Sequence, residues 1–118
     1  MNEFYNQKAS LPREVKNATS FREALEKWRD FRLLQVAELC SKLEDPFRKE
    51  YGKTHIEFAQ SINLILEEKD ARAAVKTWHN QLKENFEKFT TFNKGGPRIG
   101  AIGICGAELE KILKLELL

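Results

Sequence analysis

The residues best able to do chemistry in this chain are two histidines and two cysteines. Nucleophilic catalysis would need a base, His55 or His79, set against Cys40 or Cys105, because a thiol is a weak nucleophile until its proton is drawn off. Their positions in the chain pair none of them. A helical metal site would need clustered ligands, yet neither histidine has Glu three residues before it, and no carboxylate falls in the middle of a predicted apolar stripe. The reading is therefore non-enzymatic, with no catalytic residue, no metal and no cofactor. The cysteines form no CxxC pair, and no charged-then-apolar leader opens the sequence, so two buried free thiols in a reducing cytoplasm are expected. A Cys40–Cys105 disulfide is the alternative, since both fall on apolar stripes.

Charged and aromatic residues supply the candidate binding positions. Gly95 and Gly96 are flanked by Lys94 and Arg98, which could hold a small anion at a helix start. Neither a dinucleotide fingerprint nor a P-loop is present, because the glycines follow a phenylalanine-rich helix and no Gly-Lys is followed by Ser or Thr. His79 lies beside Trp78 on a helix flank, with Lys83 one turn later. Over these five residues the chain faintly resembles histidine phosphotransfer domains, small four-helix bundles with a reactive mid-helix histidine. Those carry a lysine three residues on and then a glycine, whereas position 82 here is Leu and Lys83 comes four on. The pattern is broken and no family is named from it. Arg32 is a sharper anomaly: eleven residues after Phe21, it falls near the middle of an apolar face, where a charge wants a partner. Either it snorkels past Trp28 into solvent, or it takes a polar contact involving Gln35 or Asn85, or it accepts an acidic group from another chain.

The elements that must position these residues are helical throughout. Residues 1–10 show neither period and read as an extended arm, and Pro12 suits a short helix through about Ala18. Ser20 and Glu23 form a capping box that opens a long helix, whose core face carries Phe21, Leu25, Trp28, Val36, Leu39 and Leu43. Asp45-Pro46 opens a second helix with Phe47, Tyr51, Phe58, Ile62 and Ile65 on its stripe, and Gly52 marks a bend or break. Asp70 caps a third, striped by Val75, Trp78, Leu82, Phe86, Phe89 and Phe92 and stopped at Asn93-Lys94-Gly95-Gly96. Helical steps of Ile99, Ile102, Cys105, Leu109 and Ile112 favour a fourth from Pro97, with a loop over 97–106 as the fallback.

A chain of 118 residues fits one domain, here a small all-α up-and-down bundle of about four main helices with a short N-terminal helix or arm. The formal charge of +2 is far from the basic excess of a phosphate-neutralising protein, so nucleic acid is permitted and not indicated. A nucleic-acid-associated accessory subunit tracking phosphates through Arg13, Lys16, Arg22 and Arg29 is the second reading. Phosphotransfer through His79, or anion sensing beside Gly96, is the third. No uncharged run is long enough to span a membrane. Leu33, Leu34, Ile56 and Leu64 fall off the main stripes, which is surplus apolar surface. It points first to a protein-interaction module: an adaptor, regulator or inhibitor that self-associates as a homo-oligomer and meets another protein through apolar helix faces.

Overall fold

The computed structural model describes residues 10–91 and 96–117 of the chain. The arm expected over residues 1–10, except for Ser10, the Phe89 and Phe92 side chains, and Lys94 with the Asn93-Lys94-Gly95 stop lie outside the described residues. Six α-helices follow in order: α1 (Arg13–Lys16), α2 (Phe21–Trp28), α3 (Leu34–Ser41), α4 (Pro46–Leu66), α5 (Ala71–Thr91) and α6 (Pro97–Leu113). No strand occurs among the described residues, and the class is all-α.

The helix starts are set by caps. Ser20 Oγ accepts from Glu23 N at 3.0 Å, Asp45 Oδ1 from Phe47 N at 2.9 Å and Asp70 Oδ1 from Ala73 N at 3.1 Å, each satisfying an otherwise orphaned first-turn donor. The box at Ser20 differs from expectation in one half. Glu23 Oε1 accepts from Thr19 N at 2.6 Å and Thr19 Oγ1 at 3.1 Å, one residue before the serine.

The long helix expected from Phe21 to Leu43 is interrupted. Between α2 and α3, Arg29–Leu33 form a π-turn in which Leu34 N–H donates to Arg29 O, five residues back. The extra residue moves the downstream core face on by one position. Leu33, Ala37 and Cys40 are buried, while Leu39 is 65% and Leu43 41% exposed and Val36 is only half-buried. The straight-helix stripe through Val36, Leu39 and Leu43 is corrected accordingly.

Gly52 does not break α4, which runs unbroken from Pro46 to Leu66. It is there for close approach: a Cβ at this position would sit 2.7 Å from Cys40 Cβ. Glycines also let α6 fit. Three of them inside one helix cost roughly 3 kcal/mol in propensity, yet α6 is continuous. A Cβ at Gly103 would come 3.0 Å from Phe86 Cε1, so the ring of α5 packs where a side chain would stand. The ambiguity over 97–106 is settled as helix.

Sequence neighbours are not always spatial neighbours. α3 packs closely on α4, but α6 inserts against both α4 and α5, which touch each other only lightly. Around α6 the core gathers Leu25, Trp28 and Leu33 from the first helices, Phe58 and Ile62 from α4, Val75 and Leu82 from α5, and Ile102, Leu109 and Ile112 from α6 itself. Cys40 and Cys105 are both buried and unbonded.

Candidate functional site

Two features stand out once the helices are in place. The first is a polar centre inside the bundle. Glu108 on α6 is 3% exposed, and its Oε1 accepts from Trp28 Nε1 on α2 at 2.6 Å. Arg32, carried on the π-turn, brings Nε to 3.3 Å from the same oxygen while its Nη2 donates to Ser10 O at 2.8 Å. The Nε is aligned as a charge partner more than as a hydrogen-bond donor. Burial raises the Glu108 carboxyl above its ordinary range, against the lowering by Trp28 and Arg32. Arg32 thus finds an acid within its own chain. Gln35 and Asn85 are exposed and play no part in it.

One turn before Glu108, Cys105 is wholly buried with Sγ 3.6 Å from His55 Nε2. His55 Nδ1 lies 2.9 Å from Tyr51 O. A carbonyl can only accept, so Nδ1 carries the proton and Nε2 is left to accept from the thiol. Burial drives both groups to their neutral forms, lowering His55 and pushing Cys105 well up. A thiol so held is a poor nucleophile. The pair resembles a catalytic dyad in composition and lacks both thiolate and access. Tyr51, half-buried and 4.7 Å from His55 between ring centroids, closes the centre, its hydroxyl pushed up to about 12 by burial. What the arrangement does is tie α2, the π-turn, α4 and α6 into one register.

The second feature is the α3–α4 face. Among the described residues, six large hydrophobics are exposed: Leu34, Leu39, Leu43, Phe47, Ile56 and Leu64. Five of them fall between positions 34 and 56. Between α3 and α4 an open groove of about 240 Å³ is lined by Ala37, Ser41, Lys49, Gly52, Lys53 and Ile56.

The sequence-derived binding residues do not converge. Arg32 joins the polar centre. Trp78 is half-buried, edge-on to Phe58 with centroids 5.5 Å apart. His79, expected at a partly open flank, is 7% exposed and hydrogen-bonded to the Gly106 backbone, with burial holding its imidazole below the ordinary range. A phosphoryl donor does not reach it in this conformation. Arg98 pairs with Glu57 at 2.9 Å instead of standing over a helix start. Of the four cations considered for nucleic acid, Arg22 donates to the carbonyls of Leu66, Glu68 and Lys69, and Arg29 pairs with Asp30 and Asn63.

Sequence reasoning missed Glu108, and a signal for it existed. Ala101, Cys105, Glu108 and Ile112 repeat at steps of four, three and four, which places the carboxylate on the buried side of α6. The chain matches no family model, no curated protein and no solved structure. Among the described residues, no helix is long and apolar enough to cross a membrane.

Proposed function

We propose that this chain is a non-enzymatic protein-interaction module that self-associates through the α3–α4 face and serves as an adaptor, regulator or inhibitor of another protein. The concentration of five exposed large hydrophobics between Leu34 and Ile56 carries this reading. Scattered exposed leucines are ordinary, but Leu39 and Leu43, one helical turn apart, together with Ile56 in the lining of the groove, are apolar side chains open to a covering partner. The π-turn supports the same reading, because its extra residue turns Leu39 and Leu43 outward while Leu33 and Ala37 turn in. The state of the polar centre agrees, with a thiol held protonated and inaccessible.

Amide spectra of the 15N-labelled chain recorded over a wide dilution series test it. Concentration-dependent shifts confined to residues 34–56 are expected. Spectra that do not change with concentration while the mass is that of one chain, or shifts on other surfaces, would sink the self-association reading.

A further inference from the structure

Away from the α3–α4 face, the starts of α2 and α5 and the stretch after α6 form an open pocket of about 550 Å³ lined by Phe21, Arg22, Lys69, Asp70, Arg72 and Leu117, among others. We propose that it binds a small organic anion: a carboxylate or phosphate head carried on an apolar body. The lining holds three cations and one carboxylate. That carboxylate, Asp70, caps α5 through Ala73 N and leaves the lining net positive. Arg22 donates at 2.5–3.0 Å to the carbonyls of Leu66, Glu68 and Lys69, and Arg72 to those of Leu113 and Leu117 at 3.0 and 2.7 Å. Those carbonyls fix both guanidiniums in place and are neutral groups, so the two positive charges are positioned without being cancelled by a carboxylate. Their terminal nitrogens are already donating, so the guanidiniums act on a carboxylate or phosphate as fixed positive charges and not as a free bidentate fork.

The rest of the lining sets the body of the ligand. Arg72 stacks over the Phe21 ring at 4.2 Å and covers it, Phe21 being 3% exposed, so the apolar wall is the half-buried Leu117. Lys69 is exposed at the mouth, a flexible third charge able to close over a head group. The volume lies in the span of roughly 300–1,000 Å³ common to small-molecule pockets. This inference is independent of self-association.

The test is a titration of the 15N-labelled full chain with phenyl phosphate, benzoate and inorganic phosphate, with sodium chloride at matched ionic strength as control. Saturable shifts at the amides of Phe21, Arg22, Ala71 and Arg72 are expected, with phenyl phosphate or benzoate binding several-fold tighter than inorganic phosphate. The tighter of those two identifies the head group. Lys69→Glu should weaken binding roughly tenfold while its spectrum remains that of the folded chain, and Lys49→Glu, on the other face, should leave it unchanged. Shifts reproduced by sodium chloride, an affinity indifferent to Lys69→Glu, or inorganic phosphate binding as well as the aromatic anions would each overturn the proposal.

Discussion

Truncating Glu108 probes the polar centre from its middle. Glu108→Ala leaves the buried Trp28 indole N–H, 0% exposed, without its acceptor, at a cost of about 1–3 kcal/mol. The space vacated by the lost side-chain atoms adds about 1 kcal/mol. Arg32 adds little, about 0.5 kcal/mol, because its side chain is 32% exposed and keeps Ser10 O. Removing a desolvated carboxyl returns part of this sum, leaving about 3 kcal/mol of destabilisation. With a urea dependence of about 1.5 kcal/mol per molar for a chain of this size, the unfolding midpoint should fall by about 2 M. Glu108→Gln keeps an oxygen for Trp28 and removes only the charge, so its loss should stay within about 1 kcal/mol. Urea unfolding followed by tryptophan fluorescence reads both variants. A Glu108→Ala midpoint close to wild type, or a Gln variant as damaged as the Ala variant, would refute the reasoning, because the first denies the anchor and the second assigns it to charge alone.

Gly52→Ala should destabilise the fold by about 1–3 kcal/mol although alanine favours helices, because its Cβ would meet Cys40 Cβ at 2.7 Å; thermal melts check this, since G52A should cost nothing further when added to Cys40→Gly, which removes the clashing atom. Deleting Asp30, exposed within the π-turn, should convert it to ordinary α-helix with the same core face, changing stability by about 1 kcal/mol or less, whereas deleting Gln35 from α3 should rotate Ala37 and Cys40 off the core and unfold the chain; circular dichroism separates the two. Burial holds His55 and His79 below their ordinary value of 6.5, so the unfolded chain binds more protons below that pH and the urea midpoint should drop between pH 7 and 5.5; a flat profile would contradict it. Glu108 has the opposite sign, since its raised carboxyl binds its proton more readily when folded. Wild type should therefore gain on Glu108→Gln as pH falls toward the ordinary carboxylate value of 4.5.

The helical class, the caps at Ser20, Asp45 and Asp70, and the continuity of α6 were legible because local patterns encode them: a polar oxygen before an apolar period, and apolar steps of three and four. Leu39 and Leu43 were misplaced for a reason no fixed period can report. A π-turn is chosen by the contacts it permits, here Arg32 reaching Glu108 and Leu33 reaching the core, both on tertiary partners. Gly52 carried the opposite ambiguity: its cost to a helix was readable, while Cys40, the neighbour that requires it, stands twelve residues away. His79 followed the same logic, since its burial comes from α6 and not from its own helix. Surplus apolar surface was legible in kind through Leu34, Ile56 and Leu64, but its concentration on α3–α4 needed the register shift at Arg29–Leu33.

Light scattering across a wide concentration range measures most directly whether that face is covered in solution. Self-association predicts a mass that is a multiple of the 13.7 kDa chain and falls toward the single-chain value in Leu39→Lys combined with Phe47→Glu. A mass of one chain for wild type at every concentration would contradict it.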